Sequence, residues 1–546
     1  MKKGFIFLLI LFVTFSTKQI HAEEIKPLFQ NLNQIKKELN LTSYYGKRFR
    51  NAQKLKIAIF DNGFKGLEEV LGKKLPATTK YHAGPVVAPE PQETHGLYMA
   101  MLFYQLVTNE GANEEYAPSE FHLYNTFGYS NFKAAVEDAI SQKIDLILYS
   151  QTWEYGGNND GNGFINALVN QATDAGIFWI NNTGNFGDTT YNSSINTLTD
   201  DWVDLAGQNN ALELRCAENP TKKCNIRLVL SWNDFSDNVN EGSDKDLDFV
   251  LTDDTLNIIQ GSSLIQSKNP KEERPGYTKY PREIITAEIK PGAYFVRVKN
   301  RSKNFTHKDR LRITASGDFV KMERFDNQES LLPPADNSSV ITVGALDSEK
   351  SSFSVKLKKP ELLTNSLVSL NKEENYKGSS NSAAMVAAGI TILKTIEPDL
   401  SKEDILRRTS NRSNNDPTSE PGNGLPLSLL GFSYTGDGCF IPVDLGTTYI
   451  PQYVSNALAY GGTLVHTNAG QKVFYDFDPI VLMPHIARRY INDILVVSPY
   501  GPGIYNRSGL WNLPIGLTEV LETPKDESIC GSFLPQPKVG FVFRLP

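Results

Sequence analysis

The chain has 546 residues, 40% of them hydrophobic and 21% charged, and a formal net charge of −7. A single core seldom grows past ~250–300 residues, so several domains are expected. This composition excludes a disordered chain, and the acidic balance supplies no basic field for nucleic acid or an anionic membrane.

Lys2 and Lys3 precede an apolar run from Gly4 to Phe15, and Ile20-His21-Ala22 offers a cleavage site. Residues 1–22 read as a signal peptide, which implies export to a secreted or periplasmic location. The run is short against the ~20 apolar residues of a spanning helix, and no later stretch is long and apolar enough, so no stable membrane insertion is expected. Export permits disulfides. Cys216 and Cys224 are close enough to pair, and Cys439 and Cys530 would then staple the C-terminal region, although sequence leaves the connectivity open. No clustered Cys and His pattern suggests a zinc site.

Residues 23–53 are polar, with Leu28, Leu32, Ile35 and Leu39 at helical spacing, which predicts one amphipathic helix. Lys56-Ile57-Ala58-Ile59-Phe60-Asp61-Asn62-Gly63 is an apolar run ending in Asp-x-Gly. It reads as a buried parallel strand with a carboxylate at its C-terminal end, where open α/β sheets gather ligands. A receiver or nucleotide domain would begin the same way, and an isolated Asp there is more commonly a turn residue or a cap. His95 stands in Glu93-Thr94-His95-Gly96, and Leu97, Ala100, Met101 and Tyr104 continue at helical spacing. His95 therefore opens a buried helix, a position open to a cap as well as to a base.

Further on, Phe121 to Tyr124 predicts a short strand and Phe132 to Gln142 a helix. A strand over Asp145 to Tyr149 ends at Ser150, and a helix over Phe164 to Ala175 ends at Gly176. Ile177 to Ile180 is a strand running into Asn181-Asn182-Thr183-Gly184-Asn185-Phe186-Gly187. Strand and helix alternate, which implies a parallel sheet with right-handed crossovers. Lys377 to Gly389, KGSSNSAAMVAAG, then sets small residues before a helical run that continues to Ile396. Ser380 sits at its N-terminal lip, where free N–H groups and the helix dipole favour an anion. An ordinary cap has the same appearance.

Taken together, Asp-x-Gly after a strand, His-Gly opening a helix, Gly-Asn-x-Gly after a strand and Gly-x-Ser before a helix resemble the subtilisin-like serine proteases, in that family's order. Pro334-Ala335-Asp336 to Ala345 and Glu397-Pro398-Asp399-Leu400 to Ile405 resemble the blocks flanking the serine motif. The resemblance implies an α/β fold: a subtilisin-like parallel sheet flanked by helices. It assigns Ser380 as nucleophile, His95 as general base, Asp61 as its orienting partner and Asn185 as oxyanion donor alongside the Ser380 N–H. It makes Ser150, Gln151 and Thr152 an edge that pairs with the substrate backbone. In the enzyme so implied, Ser380 Oγ should reach His95 Nε2 at about 2.6–3.2 Å, or somewhat more loosely without substrate. The motifs depart from the family pattern at Leu97 after His-Gly, at Ser379-Ser380-Asn381, at Ala384-Met385 and at Ala388-Gly389.

Between Asn185 and Ser380 lies more chain than a minimal family member carries. Ile226 to Leu230, Leu247 to Leu251 and Tyr294 to Val298 alternate, punctuated by Gly, Pro and Asn. They predict an inserted β-sandwich or jelly roll over 204–325, dividing the catalytic domain into 54–203 and 326–412. Trp232-Asn233-Asp234, Asp246-Leu247-Asp248 and Pro291 to Tyr294 resemble the β-sandwich accessory domains attached to secreted proteases. Asp234, Asp244, Asp246 and Asp248 offer oxygen ligands for a structural Ca²⁺, or form a solvated acidic edge. No cofactor is required by the chemistry. Thr409 to Gly424 reads as a linker, and 425–546 as a β-rich region without recognisable kin. The function so read is exported serine endopeptidase action on protein or peptide substrates, with a cell-surface or protein partner open to the accessory domains. The rivals are a catalytically inactive subtilisin-like scaffold that binds outside the cell, and a β-rich adhesin with an incidental α/β module.

Overall fold

The computed structural model describes residues 30–39, 41–45, 52–86, 93–108 and 116–409, with gaps at 206, 208, 269–274, 327, 349 and 371–374, together with strands of the C-terminal region. The signal-like segment, most of the linker, Cys439 and Cys530 lie outside the described residues.

The apolar runs assemble into an eight-stranded sheet in which every strand pair is parallel. Its order is Leu425–Pro426, Leu362–Thr364, Ile341–Ala345, Phe178–Asn182, Leu146–Tyr149, Lys56–Asp61, Glu120–Asn125 and Lys80–His82. The central strands are apolar on both sides because both faces are covered. Ile57 and Ile59 join the core beneath the helices His95–Val107 and Ser379–Ile396. Ala58 and Phe60 point the other way, onto the helices Tyr129–Ser141 and Phe164–Asp174. Leu148 and Tyr149 divide in the same manner, as the two-residue period of a strand requires.

The helix Ser379–Ile396 is buried along its whole length. A run of Ser, Ala and Gly at its start lets it lie in the centre of the domain without large side chains forcing it outward. Its lone charged group, Lys394, donates its ammonium hydrogens to the carbonyls of Pro398 and Leu400 at 2.7 and 2.8 Å, so no bare charge is buried.

Among the described residues of 23–53, α-helix spans Leu32–Glu38, while Leu28 lies outside the described residues. Asn31 caps it, accepting from Gln34 N while the Gln34 side chain accepts from Asn31 N, a reciprocal capping box. That cap satisfies the first free N–H groups and sets the start at Leu32, downstream of the apolar Leu28.

The insertion is a sandwich of two antiparallel sheets. One orders Ile258–Ser262, Leu247–Thr252, Gly292–Asn300, Leu212–Cys216 and Val320–Met322. The other orders Arg282–Ile289, Cys224–Trp232, Arg310–Ser316 and Thr190–Ser194. Thr190–Ser194 lies upstream of residue 204, and its polar sequence carries little strand signal; pairing with Arg310–Ser316 makes it a strand. Cys216 and Cys224 form a disulfide, linking a strand of one sheet to a strand of the other. In the C-terminal region eight antiparallel strands form a separate sheet, from Leu430–Tyr434 to Leu517–Glu522.

The start of the histidine helix is held against the aspartate strand by the Gly96 N–H, which donates to Gly63 O at 2.9 Å. A Cβ on Gly96 would lie 2.6 Å from Asp61 Cβ and 2.6 Å from Gly63 O. Gly96→Ala should therefore cost about 1–3 kcal/mol as overpacking, read as a lowered urea midpoint. An unchanged midpoint would mean that the helix does not approach this closely.

Candidate active site

Three strand ends and two helix starts converge at the C-terminal edge of the parallel sheet. Asp61 is the last residue of its strand, His95 the first of its helix, and Ser379 the first of the serine helix. Asp61 is completely buried. Its Oδ2 lies 2.8 Å from His95 Nδ1. A carboxylate can only accept, so Nδ1 carries the hydrogen, and the neutral ring keeps its lone pair on Nε2. Among the described residues Nε2 has no hydrogen-bond partner. Asp61 Oδ1 accepts from Asn62 N at 2.8 Å and from Gln151 Nε2 at 3.1 Å.

Burial acts to lower the His95 pKa, but the charge and hydrogen bond of Asp61 outweigh it, and Glu93 adds to them. The net result is a pKa raised above the ordinary histidine value of 6.5.

Ser380 is 8% exposed, whereas Ser379 and Ser382 are sealed. Ser379 is also tied down, its hydroxyl set 3.1 Å from Gly184 O and 3.2 Å from Asn185 Oδ1. The Ser380 hydroxyl donates to Ser150 O at 3.2 Å and accepts from Asn182 Nδ2 at 3.3 Å. The expected bond to His95 Nε2 is not formed in this structure: the one hydroxyl hydrogen goes to the Ser150 carbonyl. Gly378, the residue before the helix, has φ +124°, a backbone region that side chains avoid; a Cβ there would lie 3.2 Å from Asn185 Nδ2.

Asn185 is exposed. Its Oδ1 accepts from Ser379 N at 3.1 Å. That bond fixes the amide plane, and among the described residues Nδ2 has no acceptor, so a donor is left free beside the start of the serine helix. The turn holding Asn185 is anchored by Ser352 N donating to Gly184 O at 3.1 Å and by Phe186 N donating to Ser352 Oγ at 2.9 Å.

Ser150, Gln151 and Thr152 leave the sheet beside Ser380. Ser150 presents its carbonyl to Ser380, and Gln151 O accepts from Asn181 Nδ2 at 3.2 Å. The Gln151 side chain turns inward to Asp61, not outward to a substrate groove. Thr152 packs against Gly184. Two groups were missed in the sequence: the Asn182 amide and the Gln151 amide. The paired asparagines closing an apolar strand were the available signal, since a buried amide must be bonded.

The stretch after this edge is gripped by the sandwich. Glu154 receives Arg227 Nε and Thr314 Oγ1, each at 2.9 Å. The Arg282 guanidinium lies 3.6 Å over the Tyr155 ring, and Asn158 exchanges two 2.9 Å hydrogen bonds with the Phe235 backbone. Three of the four candidate acidic ligands of the sandwich have cationic partners, while Asp246 Oδ1 is buried without a hydrogen-bond partner among the described residues. Asp234 pairs with Lys245, Asp244 with Lys268 and Asp248 with Arg301. Among the described residues no group of three or more His, Cys, Asp or Glu side chains is placed to hold a metal ion. None of the described helices is long and apolar enough to cross a membrane.

Residues 272–431 match the model of the Subtilase family, Peptidase_S8. The match takes in the serine motif and begins downstream of Asp61, His95 and Asn185. No curated protein matches the chain. Three solved proteases are similar to it. The CspB protease of Clostridium perfringens is 12% identical, with 68% of this chain and 92% of that chain covered and a TM-score of 0.40. The epidermin leader peptide processing serine protease EpiP of Staphylococcus aureus is 15% identical, with 72% and 79% covered and a TM-score of 0.34. The nisin leader peptidase NisP of Lactococcus lactis is 14% identical, with 72% and 91% covered and a TM-score of 0.32. The match spans the serine helix, so residues 272–431, which include that helix and the sheet strands Ile341–Ala345 and Leu362–Thr364, are similar to the subtilase family of serine proteases.

Proposed function

We propose that the protein is an exported serine endopeptidase in which Ser380, His95 and Asp61 act together through an acyl-enzyme. The observation that carries the reading is the 2.8 Å contact between His95 Nδ1 and the buried Asp61 carboxylate. It leaves a basic Nε2 at the sheet edge that also holds Ser380. A substrate backbone N–H arriving at the Ser150 carbonyl would replace the Ser380 hydroxyl there. The hydroxyl, released from Ser150, would then be free to pair with His95.

The Ser380 oxygen attacks the scissile carbonyl carbon while its proton passes to Nε2. The imidazolium is stabilised by Asp61, and the oxyanion by Asn185 Nδ2 and the Ser380 N–H at the positive end of the helix. Collapse of the tetrahedral species breaks the C–N bond, and Nε2 delivers its proton to the leaving amine. Water then attacks the ester, giving its proton to Nε2, and the carboxylic product leaves as the proton returns to Ser380.

A fluorophosphonate should label the mature protein, and the label should be lost in both Ser380→Ala and His95→Ala, with Ser379→Ala retaining it. A folded wild type that takes no label would point instead to the inactive scaffold. Because His95 must be neutral to act, and its pKa is raised, kcat/KM should rise with pH through a midpoint above 6.5; a midpoint below 6.5 would contradict the Asp61 pairing. Asn185→Ala should lower kcat by about 10²–10³, as loss of the corresponding donor does in subtilisin; an unchanged kcat would remove Asn185 from the oxyanion site.

A further inference from the structure

We infer that Gln151 is a positioning residue for the Asp61–His95 pair: its carboxamide fixes the plane of the buried carboxylate so that Oδ2 faces Nδ1. This rests on the role proposed above for Asp61 and His95. The sequence reading gave Gln151 to the substrate edge through its backbone, and nothing in that role requires an amide side chain.

Asp61 is fully buried, and among the described residues no lysine or arginine pairs with it. Its charge is balanced by hydrogen-bond donors alone, and a buried carboxylate needs each of them. Two donors serve Oδ1. Asn62 N, at 2.8 Å, belongs to the adjacent residue and allows the carboxylate some rotation. Gln151 Nε2, at 3.1 Å, comes from a different strand end and closes the second direction. The carboxamide is itself steadied by Asn62 Nδ2, 3.5 Å from Gln151 Oε1. With Oδ1 held from two directions, Oδ2 is aimed at His95.

The same amide moderates the base. Gln151 Nε2 lies 3.3 Å from His95 Nδ1. Both nitrogens carry hydrogen, so the amide dipole opposes extra positive charge on the ring. Its bond to Oδ1 also withdraws charge from the carboxylate that attracts the imidazolium. The other groups facing the pair are Glu93, ahead of the histidine helix, and Tyr149, at the end of the neighbouring strand. Glu93 favours the charged ring, and the neutral phenol of Tyr149 supplies no opposing charge. Among these groups Gln151 is the one that restrains protonation of His95.

The experiment compares wild type, Gln151→Met and Gln151→Glu. Gln151 is only half-buried, so neither side chain is forced into a sealed space. His95 is titrated by NMR of its ring protons in a Ser380→Ala background, which needs no turnover. The midpoint should move to higher pH in Met and further in Glu, where a second carboxylate adds to Asp61. In the active background, kcat should fall about three- to tenfold in Gln151→Met, with KM within about twofold. An unmoved His95 midpoint in both variants, or a change confined to KM, would overturn the positioning role and return Gln151 to the substrate edge. Absence of fluorophosphonate labelling in the wild type would defeat the peptidase reading, while the NMR titration would still decide the role of Gln151.

Discussion

The site depends on a carboxylate kept out of water. Burying Asp61 without a cationic partner obliges the fold to bring donors to both of its oxygens. One comes from the next residue, one from the start of a helix and one from a neighbouring strand end. Each comes from a different segment, and together they hold the histidine helix, the aspartate strand and the Ser150 edge in one geometry. The parallel sheet makes this possible because all its strands end at the same edge, where their last residues can face one another.

The second constraint is the interior helix that carries Ser380. A helix buried along its whole length has few ways to hold its position except by shape. Small residues at its start bring the backbone close to the Asn185 turn, and Gly378 makes the bend that a side chain would strain. The serine hydroxyl rests on Ser150 and Asn182. The carbonyl that holds it belongs to Ser150, just past the end of the strand Leu146–Tyr149.

The sandwich is built into this arrangement. Arg227, Arg282 and Thr314 grip Glu154 and Tyr155, a few residues beyond the Ser150 edge. Arg312, buried at the same junction, donates to Asn159 Oδ1 at 2.5 Å. The segment that leaves the active-site edge thus takes its shape from both domains, and buried charge at the junction disfavours their separation.

The sequence alone determined the layered α/β class, the order of the strands and helices that bear chemistry, and the identities of Asp61, His95, Asn185 and Ser380 as candidates. Those features are written in local patterns: apolar runs of strand length, helical spacing, and glycine beside a polar residue at an element's end. Only the tertiary structure decided where side chains on different segments meet. The inward turn of Gln151, the contact of Asn182 with Ser380 and the resting partner of that serine depend on strands that lie side by side without being neighbours in sequence. Thr190–Ser194 became a strand because a partner more than a hundred residues away pairs with it, and Asp248 met Arg301 through the fold rather than by proximity in sequence. A pattern along the chain reports the environment of an element; the partner of a buried polar group is set by the packing of elements against one another.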